Sequence, residues 1–336
     1  MASFNLCQRA SRMVFLDDDP LFLDVLSMAF PSHWRTDLFS DTKSCIDFLQ
    51  LNSVIQKCDL WRRQEILLQA RQGGSVIALM LKYWQQHPER YDIVEMAVFD
   101  YAMPGLNGIQ ALERLRNWEG QRALLTGQAD EVIAVAAFNA GTIQQFIPKQ
   151  SSGLRANLIA QLQPMLDKGL AQHQLMWRQG FEQAQLEWLS EPPVAANLRQ
   201  WLASKDCVEY VVTAAPFGVL MVSRSGNVSW LQLESATHLD DVADLVSEEM
   251  PQSVLSSIAK GEALPNVELS MALGGDLPFQ INPAFKVCDS LLAVSYDLGE
   301  KYNIPPEKSY NAWCEKHAGN SHFRIWRGAQ SANPKA

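Results

Sequence analysis

Five short apolar runs in the first 150 residues constrain this chain more than any other feature, because four of them stop at a residue able to do chemistry. MVFL (13–16) runs into Asp17 and Asp18, the run 93–99 stops at Asp100, Ala123 to Leu125 stop at Thr126, and Gln145 to Pro148 stop at Lys149. The fifth run is Thr36 to Phe39. Runs of this kind read as strands buried on both faces of a parallel sheet. Helical stretches lie between them, and the alternation predicts a doubly wound, five-stranded parallel α/β sheet. In such a sheet the reactive groups gather at the carboxyl ends of the strands. Asp17, Asp18, Asp100, Thr126 and Lys149 are therefore predicted to converge, although 132 positions separate the first from the last.

Three carboxylates, a hydroxyl and an ammonium suit one reaction type. A carboxylate is a poor nucleophile toward phosphorus until the charge around it is neutralised. Magnesium prefers oxygen ligands and retains several waters, so Asp17, Asp18 and Asp100 suit it. A metal there stabilises in-line transfer of a phosphoryl group to Asp100. Lys149 offers a point charge to a second phosphoryl oxygen, and Thr126 a hydroxyl to a third. Each residue alone also has a plain structural reading: a helix cap for Asp18, a turn residue for Asp100, a cap for Thr126, a solvated lysine for Lys149.

Local signals fill in the chain. Asp19-Pro20 suits a helix start over 20–30. A second helix is predicted from Thr42 or Lys43, a third over 109–117 after Asn107-Gly108, and a fourth over 129–140, ending at Gly141. Residues 51–90 stand out as an insertion with helical character in two pieces, split at Gly73-Gly74. It is expected either to add core or to present a partner-binding face carrying Trp61, Tyr83 and Trp84. These signals predict domains at 1–152 and 206–336 joined by connector helices over 153–205. An apolar stripe from Leu154 to Trp188 either dimerises or packs on its own domains. Glu191-Pro192-Pro193 ends that helix, and a short helix, AANLRQWLAS, follows.

The C-terminal domain is predicted to be α+β with a mainly antiparallel sheet. Its run EYVVTAAPFGVLMVSRSGNVSWL reads as two strands joined at Arg224–Asn227, followed by two acidic helices within 238–260. VELSMAL, FQINPAFKV and SLLAVSYDL read as three further strands. The strand–helix–strand order is similar to a PAS-type domain. Asp240, Asp241, Asp244, Glu248 and Glu249 have the wrong sign for a recognition helix. Gly274-Gly275-Asp276 lacks the flanks of a cyclase motif, and His238, His317 and His322 read as solvated or core histidines.

Composition bounds the rest. At 336 residues and 47% hydrophobic content, two globular domains are expected. A net charge of −9 argues against nucleic acid and anionic membranes as partners. The six cysteines are widely spaced without zinc spacing, which predicts reduced thiols. No signal peptide or membrane-spanning run is read, so a cytoplasmic protein is expected. The final mildly basic stretch, from Lys316 on, reads as a partly ordered tail.

These residues carry a resemblance. The first 150 positions look like the receiver domain of two-component response regulators, with its flavodoxin-like fold. The acidic pair matches Asp17 and Asp18. The phosphoacceptor matches Asp100, followed by Met103-Pro104-Gly105 and Asn107-Gly108. The switch hydroxyl and aromatic match Thr126 and Phe146, and the lysine matches Lys149. The resemblance implies Mg2+ held by Asp17, Asp18, Asp100 and the backbone carbonyl of Ala102. It also implies a sensor histidine kinase or phosphotransfer protein as partner, and a homodimer as the switched state. Two departures stand out: Gln150 replaces the family's proline after the lysine, and 82 positions separate Asp18 from Asp100. The overall plan is also similar to the Legionella quorum-sensing type of response regulator. The output domain is expected to bind protein or dimerise rather than catalyse. A ligand-binding or catalytic module gated by the receiver is the alternative, and a DNA-binding regulator a third.

Overall fold

The computed structural model describes residues 3–10, 12–30, 34–127, 131–149, 153–178, 180–248, 250–318 and 323–326. Gln150, Glu249, His322 and the expected start of the fourth helix at 129 lie outside them. The chain forms two compact units. One holds residues 11–62, 89–172 and 313–336; the other holds 1–10, 63–88 and 173–312. This partition differs from the domain bounds expected from sequence.

In chain order, β1 (Cys7–Gln8) belongs to the second unit. The first unit begins with β2 (Arg12–Leu16), α1 (Pro20–Ala29) and β3 (Arg35–Phe39). Asp19 caps α1, its carboxylate accepting the Leu21 amide at 2.9 Å, with proline at the first helical position. Next comes α2 (Thr42–Arg71), a single 30-residue helix. The insertion therefore does not start a new helix at 51 but prolongs the second one, and the boundary between units falls at Arg62–Arg63 inside it. Buried amides explain the continuation. Asn52 donates to the Asp92 carbonyl at 2.7 Å and accepts the Val94 amide at 3.0 Å, and Gln56 donates to the Val94 carbonyl at 2.7 Å. The added turns thus satisfy backbone groups that a longer strand would have paired. After Gly73 and Gly74, α3 (Val76–Gln86) buries Ile77, Met80, Leu81, Tyr83 and Trp84 in the second unit's core, while Trp61 on α2 is exposed.

The first unit continues through β4 (Met96–Asp100), α4 (Gly108–Glu113), β5 (Gln121–Thr126), α5 (Glu131–Asn139), β6 (Gln145–Pro148) and α6 (Leu154–Trp177, of which 154–172 lie here). The strands run parallel, and alternate residues face two separate cores. Val14, Leu16, Phe39, Ala97, Phe99 and Leu124 point one way; Met13, Phe15, Leu38, Val98, Ala123 and Leu125 point the other. Leu158, Leu162 and Met165 of α6 pack into the second of these cores, so that part of the stripe serves its own unit.

The second unit's helices are α7 (Gln183–Ser190), α8 (Pro192–Ser204), α9 (Leu239–Asp244), α10 (Gln252–Ala259) and α11 (Val267–Ala272). Pro192 opens α8 rather than standing outside it, because the first helical turn needs no amide donor. The strands are β7 (Cys207–Ala214), β8 (Phe217–Ser223), β9 (Val228–Ser235), β10 (Ala263–Pro265), β11 (Ile281–Pro283), β12 (Phe285–Cys288) and β13 (Leu291–Asp297). The main sheet has the order β1-β7-β8-β9-β13-β12 and is antiparallel throughout.

Three sequence expectations are corrected here. The run read as two strands is three, since the chain reverses at Ala215-Pro216 as well as at Arg224–Asn227. VELSMAL is helical, not extended. Buried Asn266 anchors its start by donating to the Pro278 carbonyl and accepting the Gln280 amide, both at 2.8 Å. Finally α12 (Tyr310–Ala318) leads to β14 (Phe323–Trp326), which pairs in parallel with β3. The parallel sheet thus has six strands, β14-β3-β2-β4-β5-β6, where sequence predicted five and a loose tail. Among the described residues no helix is long and apolar enough to cross a membrane.

Candidate functional site

The carboxyl ends of β2, β4, β5 and β6 carry the predicted cluster. Asp17 follows Leu16 with its amide bonded to the Phe39 carbonyl at 3.0 Å, and its carboxylate accepts the Asp19 amide at 3.0 Å. Asp100 ends β4. The Tyr101 amide donates to the Leu125 carbonyl at 2.9 Å, and the Gly108 amide to the Tyr101 carbonyl at 3.1 Å, so the 101–108 loop folds back on the strand end. Asn107 then starts α4 with a reciprocal cap: its side chain accepts the Gln110 amide at 2.9 Å, and Gln110 accepts the Asn107 amide at 3.2 Å. Helix α4 needs Gly108 at this point, since a Cβ there would lie 2.2 Å from the Asp100 carbonyl oxygen.

Asp17, Asp18 and Asp100 each offer a carboxylate oxygen, and these atoms lie within 4.8 Å of one another. Asp17 and Asp100 are buried, at 1% and 3% exposure, while Asp18 is exposed. Lys149 bridges the two buried acids, with Nζ 2.7 Å from Asp17 and 2.9 Å from Asp100. Its own amide donates to the Thr126 carbonyl at 2.9 Å, which ties the end of β6 to that of β5. Burial raises the Asp17 pKa, and the Asp100 charge adds to this; the bonds from Lys149 and the Asp19 amide oppose it. Burial works against the Lys149 charge, yet its bonds to Asp17 and Asp100 prevail and raise its pKa.

Thr126 is fully buried, and among the described residues its hydroxyl has no hydrogen-bond partner. A buried hydroxyl without a partner is costly in a folded protein. Phe146 is half-buried on β6 and packs against the core that includes Leu124 and Phe99. Ala102 is exposed in the loop after β4. The structure therefore gathers Asp17, Asp18, Asp100 and Lys149 into one cluster, with Thr126 at the adjoining strand end. One contact escaped the sequence reading: the Phe22 ring on α1 lies under the Lys149 ammonium at 4.8 Å. Its place in the first turn of α1, just after Asp19-Pro20, was the available signal.

A doubly wound parallel sheet with this acid–lysine cluster at its carboxyl edge has the receiver fold of response regulators. Over most of its length the chain matches the solved structure of the Legionella pneumophila response regulator LqsR, with a TM-score of 0.67 and 22% identity, covering 94% of this chain and 97% of that one. A response regulator receiver domain protein from Clostridium thermocellum aligns over 49% of this chain and 98% of its own, with a TM-score of 0.31 and 12% identity. One from Methanospirillum hungatei aligns over 48% and 98%, with a TM-score of 0.31 and 16% identity. The LqsR match carries the comparison, and what it shows is a shared fold. No protein family matches the chain, and no curated protein does.

Proposed function

We propose that this protein is a response regulator that accepts a phosphoryl group on Asp100 and converts the modification into dimerisation or protein binding. The observation that carries this reading is the bridge from Lys149 to both Asp17 and Asp100, beside a buried Thr126 hydroxyl that has no partner among the described residues.

The donor set fits a hard divalent cation. Three carboxylates stand opposite a single ammonium, and each offers oxygen within 4.8 Å of the others. Asp17, Asp18, Asp100 and the Ala102 carbonyl would hold Mg2+. When bound, that ion supplies charge neutralisation at the phosphoryl oxygens. The chain's own groups do the rest. An Asp100 carboxylate oxygen attacks phosphorus and forms a P–O bond. The bond from phosphorus to the donor's imidazole nitrogen or acyl oxygen breaks, and the leaving group departs with the electron pair. Lys149 stays charged and transfers contact from Asp100 to the new phosphoryl oxygens. The Thr126 hydroxyl gains the acceptor it lacks, and Phe146 follows inward. The product is a covalent state of Asp100, so the site acts as an acceptor rather than a turnover catalyst.

The readout follows from α5, where Val132, Val135 and Phe138 are exposed next to β5 and β6. A phosphoryl group that moves Thr126 and Phe146 biases that face between two arrangements. The partners are then a histidine kinase or phosphotransfer protein in the cytoplasm and a second copy of the chain. The test is labelling by an acyl phosphate with Mg2+. One phosphoryl group per chain is expected on the parent and none on Asp100→Asn; a parent that takes up no label overturns the reading. Beryllofluoride with Mg2+ should shift the oligomeric state in sedimentation.

A further inference from the structure

The antiparallel-sheet unit carries an open cleft of about 860 Å3, within the size range of small-molecule sites. It draws its lining from the Gly73–Ser75 turn, helix α7, the β7–β8 turn, the end of β9 and helix α11. Two aromatic rings stand together in it: Trp188 and Phe217 stack with centroids 6.1 Å apart and planes 22° apart. The Trp188 indole nitrogen donates to the Ser290 hydroxyl at 3.0 Å, which holds the ring in place.

The lining is rich in acids. Glu182, Glu234 and Glu268 contribute carboxylates, the His238 imidazole also lines the cavity, and among the described residues neither lysine nor arginine does. Among the described residues the half-buried Glu234 accepts only the Ser235 amide, at 3.1 Å, and Glu268 has no ion-pair partner. Burial pushes the Glu234 carboxyl up to about 7, and the neighbouring charges of Glu268 and Asp241 add to the rise. Loss of surrounding water raises Glu268 as well. Close acids without a cation are held at a cost that a positive ligand removes.

We propose that this cavity binds an organic ammonium compound, an amine attached to a planar apolar body. The ammonium sits between Glu234 and Glu268, and the planar body lies against the Trp188–Phe217 pair. The cation gains charge-assisted bonds to the carboxylates and attraction to the aromatic faces. Anionic ligands, nucleotides included, meet three acids, with no lysine or arginine among the described lining residues to offset them. Nothing in this assignment depends on phosphorylation of Asp100.

The test is calorimetry on the full chain at pH 8 with three near-isosteric probes: tryptamine, neutral tryptophol and anionic indole-3-acetate. Tryptamine is expected to bind at least about tenfold more tightly than either of the others, a gap of ~1.4 kcal/mol. Glu234→Gln and Glu268→Gln should each weaken tryptamine by about tenfold or more, while Glu300→Gln, on an exposed turn, leaves it unchanged. Equal affinity for the three probes overturns the proposal. So does the lack of any tryptamine heat up to about 10 mM, or binding that both glutamine variants retain in full. The probe comparison uses the parent protein alone, so it stands whether or not a variant folds.

Discussion

Gly108 has no room for a side chain above Asp100: a Cβ would meet the Asp100 carbonyl oxygen at 2.2 Å and the Leu124 side chain at 3.0 Å. The closest obstacle is backbone, which cannot turn aside as a side chain would. Gly108→Ala is expected to lower stability by about 1–3 kcal/mol through overpacking and to slow labelling of Asp100 by displacing the strand end. Denaturant unfolding and an acyl phosphate time course measure the two effects. A variant that melts and labels like the parent would show that the loop has slack at this position.

Thr126 makes the opposite kind of prediction. Its hydroxyl is buried and has no partner among the described residues. Replacing it with the similarly shaped Val removes a desolvated polar group, so Thr126→Val should be neutral or more stable by up to about 1 kcal/mol. The same variant should lose most of the oligomeric response to beryllofluoride. Marked destabilisation in chemical denaturation would mean that the hydroxyl already has a partner.

Lys149 neutralises two buried acids at once. Lys149→Met leaves Asp17 and Asp100 facing each other without a cation, at an expected cost of about 3 kcal/mol. A divalent cation replaces the missing charge, so millimolar Mg2+ should raise the melting temperature of the variant more than that of the parent. Thermal melts with Mg2+ or with EDTA make the comparison. Equal Mg2+ shifts in both proteins would remove these carboxylates as metal ligands.

Glu234 predicts a pH dependence in the other unit. Its carboxyl is pushed from the ordinary 4.5 up to about 7, first by burial and then by Glu268 and Asp241, with the Ser235 amide opposing. A raised carboxyl pKa means that the folded state holds the proton more tightly than the unfolded one. The parent therefore loses stability as pH rises from about 4.5 through about 7, and Glu234→Gln loses less, since only the raised Glu268 carboxyl remains of the pair. The variant should match the parent near pH 4 and exceed it by about 1–2 kcal/mol at pH 8. Urea unfolding at the two pH values reads the difference, and a constant gap across that range counts against the shift.

The acid–lysine cluster was legible in the sequence because its members sit at strand ends, where a local apolar run marks each position. Asp17, Asp100, Thr126 and Lys149 each close such a run, and parallel pairing brings the ends together. What escaped was set by tertiary partners rather than by local pattern. The alternation Val267, Leu269, Met271, Leu273 mimics a strand, yet the bonds of Asn266 to Pro278 and Gln280 start a helix there. Ala215-Pro216 lies inside a long apolar stretch, where Pro216 and Gly218 are the sole local marks of a reversal. Glu234 and Glu268 are 34 positions apart, one on a strand and one on the misread helix, so their shared cavity left no trace in the sequence. Residues 323–326 are too few to stand out among polar neighbours, and their strand exists only because β3 offers an open edge.

Strand β14 has a practical consequence for anyone dissecting this protein. A fragment cut at residue 152 would keep Asp17, Asp18, Asp100, Thr126 and Lys149 and still lose the outermost strand, leaving the backbone of β3 (Arg35–Phe39) unpaired along one margin. Bare margins of that kind recruit other chains. Self-association of such a fragment would then report the cut rather than the switch, and fragments should carry residues 313–326 in trans or by fusion before their assembly is interpreted.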